Sequence, residues 1–540
     1  MKLFIVESPK KAKTISKFLG KGWIVKATVG HIKDLPSKEL GIDESNFEPK
    51  FVWLEGKYKL IQEIKKIAYK ADEILIGTDP DREGEAIAKF VYDELVKTKK
   101  PISRVVFYEI TPKSIFAAIK NKRSIDYNLV NAQIARRVLD RLIGYKLSPE
   151  LWKHLNNNKL SVGRVQSPAV KIIVDREEEI KNFDKKEYYH IKLLFNIQNK
   201  KFYAYSHEKF YKKEEAEKIA KELESADIYV KEYQEWEEKK APPAPFTTST
   251  LQTTANVLYK ISTEEVQKIA QNLYESGLIT YPRTDSYRIN KEMVETIKEY
   301  IKKEYGEEYV GYQRKYKQSK NAQGAHECIR MVDVNNILPD DKSKQKLVYD
   351  LIYSRTLASL ASDAILKKQK IIFIAKSNNN KVNGMTFESN GNKIMFDGYL
   401  RIYHEKIEEI ELPKLKADEK HKPEEIDTHK VVTQPPPRFS EGTLVKKLEQ
   451  LGIGRPSTYA TIMKNIKNKG YIIQNKNILT PTEIAYAIIK FLKENYPMVI
   501  DYDLTKKMED QLDLIETGTV DWKHVAKTFF YQMIQNNHAY

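Results

Sequence analysis

The sequence predicts a multidomain α/β plus α chain: an amino-terminal unit on a mainly parallel sheet, then helical segments and a β-rich domain interrupted by a helical insertion. Three observations predict it. At 540 residues the chain exceeds what one hydrophobic core serves, so three or four domains are expected. Apolar strand signals alternate with helical stripes near the amino terminus. Tyr-rich, strand-like material lies on both sides of a long helical block.

Taken in order, Leu3-Phe4-Ile5-Val6 is a short buried-type strand, Lys10 to Leu19 a helix and Ile24 to Val29 a second strand. Lys57 to Tyr69 carries Leu60, Ile61, Ile64 and Ile67 at helical spacing. Ile74-Leu75-Ile76 and Val105-Val106-Phe107 supply further strands, with a helix through Ala86 to Leu95 between them. Ligands on such sheets sit beyond the carboxyl ends of the strands, so Glu7 and Asp79 are expected to converge on one site. From about Arg123 to Ile180 the pattern turns helical and basic. Residues 185–240 mix alternating strands with a charged helix around Glu214 to Glu224, up to the boundary Ala241-Pro242-Pro243-Ala244-Pro245. Helices dominate from Thr250 to about Leu366, and strand-like material returns at Ile371 to Ile410. The polar run Lys414 to Asp427 then leads through Pro435-Pro436-Pro437 to a helical carboxyl-terminal part.

Charge narrows the function classes. Lys and Arg number 92 against 75 Asp and Glu, a net charge of +17, which favours a polyanionic partner, nucleic acid or an acidic membrane face. The 33 Tyr and 19 Phe lean toward nucleic acid, because aromatics between cations stack on bases. A lysine-rich surface and ordinary core aromatics would read the same way. The one cysteine, Cys328, excludes internal disulfides and a Cys-based zinc ribbon. With no apolar run of ~18 residues and no signal-peptide pattern, a cytoplasmic chain outside the membrane is expected.

The densest chemistry is Thr78-Asp79-Pro80-Asp81-Arg82-Glu83-Gly84-Glu85, directly after an apolar strand. Acids this close repel one another unless a cation sits among them. Asp79, Asp81 and Glu83 alternate with other residues, so an extended turn would aim their oxygens at one point and suit Mg²⁺. A solvated acidic helix start is the competing reading. Glu7 at a strand end, with Lys10, Lys11 and Lys13 behind it, places an acid beside a phosphate-binding cation, or forms an ordinary strand-to-helix turn. In Ile279-Thr280-Tyr281-Pro282-Arg283-Thr284-Asp285-Ser286, a phenol with a guanidinium two residues on is a candidate covalent phosphoryl-transfer site, to which His326 could be lent. A structural Tyr next to Pro is the alternative there. Ser161-Val162-Gly163-Arg164-Val165-Gln166 offers backbone and hydroxyl groups to phosphates. Arg136, Arg137, Asp140 and Arg141 with Tyr145 and Trp152 suit a stacked single strand, or equally a charged helix face over buried aromatics.

Together these segments resemble the type IA DNA topoisomerases, in the bacterial topoisomerase I (omega protein) branch. The resemblance runs in order from Glu7-Ser8-Pro9 through Gly30-His31-Ile32-Lys33-Asp34-Leu35-Pro36, the acidic loop and the 161–166 segment. It continues with Pro245-Phe246-Thr247-Thr248-Ser249-Thr250-Leu251-Gln252, the Tyr281 segment, Ala325-His326-Glu327 and Gly452-Ile453-Gly454-Arg455-Pro456-Ser457-Thr458-Tyr459. It implies a TOPRIM (Rossmann-like) domain at 1–122, a helical, winged-helix-like DNA-binding domain at 123–180 and 430–540, a β-rich arch at 181–244 and 367–429, and a helical domain with the nucleophile at 245–366, forming a toroid. It also implies metal ligands Glu7, Asp79, Asp81 and Glu83, a nucleophile Tyr281 with Arg283 on its phosphate, Lys11 on the scissile phosphate and His326 in support. By the same likeness His31, Arg136, Arg137, Asp140, Tyr145, Trp152, Ser161, Val162, Gly163, Arg164, Val165, Gln166, Arg283 and Arg455 are DNA contacts. Two departures stand out: no carboxyl-terminal zinc ribbons, which bears on strand passage rather than cleavage, and Met331 where a Pro is common after the His-Glu pair.

The implied activity is relaxation of negatively supercoiled DNA through a transient 5′-phosphotyrosyl bond, with Glu7 as acid for the leaving oxygen. Mg²⁺, or Mn²⁺, is the expected cofactor. No ATP is expected, since no P-loop pattern appears, and no zinc. The expected partner is DNA with single-stranded regions, the expected state a monomer associated with the nucleoid. Rivals are the topoisomerase half of a split reverse gyrase, a topoisomerase III-like decatenase, a TOPRIM nuclease or primase with an inert Tyr281, and a non-catalytic single-strand binder.

Overall fold

Apolar residues that alternate along the first strand divide the amino-terminal region into two faces. The computed structural model describes residues 1–317 and 326–534. In it β1 (Lys2–Val6) is followed by α1 (Pro9–Leu19), β2 (Trp23–Ala27), the short antiparallel pair β3 (Lys33–Asp34) and β4 (Val52–Trp53), α2 (Lys57–Ala68), β5 (Glu73–Ile76), α3 (Arg82–Leu95), β6 (Ile102–Arg104) and α4 (Pro112–Lys120). The main sheet is parallel, in the order β2-β1-β5-β6. Leu3 and Ile5 face one core with Ile61, Ile64 and Val91, while Phe4 and Val6 face a second with Ile15, Leu19 and Ile115. Burial on both faces is what a helix-covered parallel sheet requires.

Two expected boundaries need correction. The strand expected at Val105–Phe107 is instead Ile102–Arg104. Its partner β5 ends at Ile76, and after the Val105 N–H reaches the Ile76 carbonyl at 2.8 Å no further partner remains. The helix expected from Ala86 begins at Arg82, because Asp81 caps it by accepting from the Gly84 N–H at 2.8 Å.

Two long helices follow, α5 (Tyr127–Leu155) and α6 (Gln166–Lys181). Next come β7 (Glu187–Ile197), β8 (Lys200–Ser206), α7 (Lys213–Leu223) and β9 (Asp227–Lys240). The chain then leaves for α8 (Thr248–Tyr259), α9 (Thr263–Glu275), α10 (Lys291–Tyr305) and α11 (Lys344–Ser359), and returns through β10 (Ala364–Lys376), β11 (Thr386–Phe396) and β12 (Glu425–Val432). All six long strands join one antiparallel sheet, β12-β7-β8-β11-β10-β9, whose inner face (Ile191, Leu193, Phe195, Phe373, Phe387) packs against Ala216, Ile219 and Leu223 of α7. The carboxyl-terminal part contains α12 (Glu441–Leu451), α13 (Tyr459–Asn468), the hairpin β13 (Ile472–Asn475) and β14 (Ile478–Pro481), α14 (Glu483–Asn495), α15 (Tyr502–Glu516) and α16 (Trp522–Ile534). It shares a core with α5 and α6, so segments far apart in sequence build one body. Helices α8 to α11 share the second core with the amino-terminal sheet. No helix among the described residues is long and apolar enough to cross a membrane.

Candidate active site

The acidic loop leaves the carboxyl end of β5 and is folded tightly by its own glycine. A Cβ on Gly84 would lie 2.0 Å from the Asp79 carbonyl oxygen, so no other residue fits without moving the backbone. Thr78 Oγ1 donates to the Gly84 carbonyl at 2.6 Å. Beneath the loop, buried Arg104 donates to the carbonyls of Thr78 at 2.9 Å and Asp79 at 2.8 Å, and its Nε to Glu85 at 2.9 Å. Glu85, also bound by Arg123 at 2.8 Å, is thereby a structural carboxylate.

Glu7 directly follows β1, and Lys11 lies in the first turn of α1, which Ser8 caps. The fully buried Lys11 Nζ donates to Glu7 Oε1 at 3.0 Å and to Asp79 Oδ1 at 2.9 Å. It also lies 4.8 Å from the Phe107 ring centroid and 5.5 Å from that of Tyr274. One ammonium serves two carboxylates. Burial and the Asp79 charge therefore push Glu7 up to about 8.

Tyr281 reaches this site from the loop after α9. The approach is close at Gly277, whose φ is +73° and where a Cβ would lie 2.6 Å from the Ile110 carbonyl oxygen. The Tyr281 N–H donates to the Tyr108 carbonyl at 2.7 Å, and its buried hydroxyl donates to Asp81 Oδ2 at 2.6 Å. Arg283 Nη1 donates to the same oxygen at 3.1 Å. Burial and the Asp81 charge raise the Tyr281 phenol well above its ordinary value, so the hydroxyl is held protonated. Burial works against the Asp81 charge, but Arg283, the Tyr281 hydroxyl and the Gly84 N–H hold that carboxyl low. Tyr274 stands edge-on to Tyr281 at 5.2 Å, and His326 at 6.4 Å with its charge disfavoured by burial. Ala325, next to His326, lies outside the described residues. Further polar links join the two halves: Lys10 Nζ to the Asn272 carbonyl at 2.9 Å, Thr14 Oγ1 to the Glu275 carbonyl at 2.7 Å and Arg330 Nη2 to Glu109 at 3.1 Å.

The expectation of an extended turn aiming three carboxylates at one point is corrected. Because α3 starts at Arg82, Glu83 lies on a helix and turns away to His31 Nε2 at 3.0 Å and Gln133 at 3.3 Å, while Asp81 faces Tyr281 and Asp79 faces Lys11. Among the described residues no group of three or more His, Cys, Asp or Glu side chains is arranged to hold a metal ion. The donor chemistry nevertheless fits a hard divalent cation, because the carboxylates of Glu7 and Asp79 stand together and share the single ammonium of Lys11.

The candidate DNA contacts fall into two groups. Arg137 is half-exposed and paired with Asp34, Tyr145 is 48% exposed, and Trp152 offers a ring face while its Nε1 donates to the Leu160 carbonyl at 2.7 Å. The others are already partnered. The amides of Ser161, Val162 and Gly163 donate to Tyr471 Oη, Ser148 Oγ and Ser167 Oγ at 2.8, 3.0 and 3.2 Å, which corrects the expectation of a free backbone cradle. Val165 is the residue before α6 and Gln166 opens that helix. Arg136, Arg164 and Arg455 are bound to carboxylates of α15, and Asp140 to Arg164 Nε at 2.6 Å. Sequence reasoning missed Gln271, whose Nε2 donates to Asp79 at 3.2 Å, and Tyr274; neither carried a signal apart from its helix. It also missed Glu509, Asp513 and Glu516, whose signal was an acidic stripe at helical spacing in a basic chain.

The comparisons with known proteins agree in kind. A family model described as DNA topoisomerase matches residues 124–527, and one described as Toprim domain matches residues 2–110. The DNA topoisomerase 1 of Aquifex aeolicus (strain VF5) is 49% identical over 529 residues, with 98% of each chain covered. Among solved structures, full-length topoisomerase I from Thermotoga maritima superposes with a TM-score of 0.87 at 37% identity, covering 98% of this chain and 89% of that one.

Proposed function

The chain belongs to the DNA topoisomerase family, and from this we propose that Tyr281 opens one DNA strand while Glu7, Lys11 and Arg283 serve the phosphate and its leaving oxygen. It is an ATP-independent type IA enzyme that relaxes negatively supercoiled DNA, an isomerase with a Toprim domain. Both relatives named above are topoisomerase I, which favours relaxation over a decatenase or a split reverse gyrase.

In this reading Tyr281 Oη bonds to the phosphorus as its proton passes along the hydrogen bond to Asp81. The 3′ oxygen leaves and takes the proton that a raised pKa keeps on Glu7. Arg283 and Lys11 balance the charge that grows on the phosphoryl oxygens. Resealing reverses these transfers, and the ester conserves the bond energy. Of the four expected ligands Glu7, Asp79, Asp81 and Glu83, the pair Glu7 and Asp79 would hold Mg²⁺ or Mn²⁺, since Asp81 is engaged by Tyr281 and Glu83 by His31. When bound, the cation supplies charge that orders the 3′ end and its phosphates for resealing. His31, Arg136, Arg137, Asp140, Tyr145, Trp152, the 161–166 segment and Arg455 line the proposed strand path, over the four-unit division given above.

The observation that carries this reading is the 2.6 Å bond between Tyr281 and Asp81, two side chains 200 positions apart. The test is plasmid relaxation together with denaturant trapping of the strand. A phosphotyrosyl link to the 5′ end at Tyr281 supports it, and relaxation without any covalent adduct overturns it.

A further inference from the structure

Four arginines from four parts of the chain meet one face of α15. Glu509, Asp513 and Glu516 stand four and three residues apart and so share a face. Arg136 of α5 donates to Glu509 and Asp513, each at 2.6 Å. Arg164 binds Glu509 and Asp140. Arg455 donates to Asp513 at 2.7 Å and to Asp510 at 3.0 Å, and Arg82 to Glu516 at 2.7 Å. Glu509 is 1% exposed; against the opposing effect of burial, its three arginines hold it well below the carboxylate range.

The setting of this cluster matters. It forms a wall of the cleft that also holds Asp81, Arg283 and His326. Arg455 and Asp510 face a cavity of 530 Å³ on one side, and Arg82, Arg136 and Arg164 face one of 430 Å³ with His31 and Arg137 on the other. The cleft shares Arg455 with the first cavity and Arg82 with the second, so the cluster stands where the three meet. Within it the buried Arg136 Nε has no hydrogen-bond partner. Four guanidinium groups are met by five carboxylates, counting Asp140 and Asp510, so this stretch of an otherwise basic chain offers a phosphate no net attraction. Carboxylate and phosphate oxygens satisfy the same guanidinium fork.

We propose that the acidic side of α15 is a phosphate stand-in: Asp513 and Asp510 hold Arg136 and Arg455 in place without DNA and yield them to backbone phosphates when a single strand occupies the cleft. This rests on the reading that those arginines contact the strand. The two aspartates yield because Asp513 lines the cleft and Asp510 the 530 Å³ cavity, while the buried Glu509 is the anchor. The acids are positioning residues, acting through the arginines.

The exchange has a salt signature. Neutralising a phosphate of a single strand releases counterions with a slope of about −0.7 per contact. Where the arginine must first release a carboxylate, that carboxylate takes up a cation and part of the slope is lost. Binding of a fluorescein-labelled single-stranded oligonucleotide to full-length Tyr281→Phe protein, measured by anisotropy across a salt series, is compared with Asp513→Asn and Arg455→Gln in that background. Asp513→Asn should bind about three-fold tighter or better at low salt, with a steeper salt slope. Equal or weaker binding at an unchanged melting temperature overturns the proposal, because loss of a merely structural ion pair also leaves binding equal or weaker. If Asp513→Asn melts well below its parent, Asp510→Asn, which releases Arg455 from one of its carboxylates, is judged by the same two criteria. Arg455→Gln separates the two readings. A loss of affinity without a gain in Asp513→Asn rejects only the stand-in, whereas unchanged affinity in Arg455→Gln rejects the strand contact itself and the stand-in with it.

Discussion

The hydroxyl of Tyr281 donates to Asp81 and not to His326, although the two rings lie 6.4 Å apart. The phenol is thus held by a carboxylate that Arg283 also binds. Removing the hydroxyl takes away one donor to Asp81 and leaves Arg283 and the Gly84 N–H in place. Tyr281→Phe should fold and bind a single strand as the parent does, while covalent adduct falls at least about 10³-fold. Adduct in that variant at parental level, seen on a denaturing gel of end-labelled strand, would remove Tyr281 from its role.

Glu7, raised to about 8 by burial and Asp79, carries its proton at neutral pH. Single-strand cleavage measured in chelator should therefore be sustained below that value and decline as pH rises through it. The sign for stability is the same. A folded-state value above the unfolded value of 4.5 contributes fully below 4.5, and the contribution is lost as pH rises through about 8. Glu7→Gln should flatten both profiles; a parental cleavage rate that climbs through pH 8 would contradict the assignment.

Chelation should separate the two half-reactions. With EDTA, adduct formation should persist while plasmid relaxation stops, and added Mg²⁺ or Mn²⁺ should restore relaxation. Full-rate relaxation in chelator would show that the carboxylate site needs no cation.

Glu509 compensates the buried Arg136 and Arg164 and the partly buried Arg455, so Glu509→Gln leaves them short of charge. Loss of one partner from such a buried network typically costs about 3–5 kcal/mol. Urea or thermal unfolding should show that loss, and a change under about 1 kcal/mol would mean the arginines find other partners.

Cys328 is buried and its thiol is pushed up to about 12, mainly by desolvation. Alkylation by iodoacetamide should be slow in the native protein and fast once denaturant unfolds it. Fast labelling under native conditions would place this segment in frequent local opening.

Much of this was legible before any coordinates. Tyr281 and Arg283 share one short segment, and the acids crowd into another, so residue chemistry singled out both. What sequence could not supply was the pairing. Asp81 looked like one of three equivalent ligands, yet its position before α3 makes it a cap and turns it toward Tyr281, while Glu83, two residues on, follows the helix to His31. The arginines at 136, 164 and 455 looked like free cations because their partners lie at 509–513, behind most of the chain. The Val105–Phe107 strand was misplaced because strand length depends on where the neighbour stops, and β5 stops at the acidic loop.

The joint between α9 with its following loop and the amino-terminal sheet combines two kinds of contact. The polar links, Lys10 to Asn272, Thr14 to Glu275 and Tyr281 to Asp81, can each be replaced by water at modest net loss. The apolar ones, Phe107 and Ile110 with Tyr274 and Ile279, cannot. Such a joint behaves like a sprung hatch: parting its lips would wet hydrophobic faces, which favours closure, while the hydrogen bonds fix the register in which it closes.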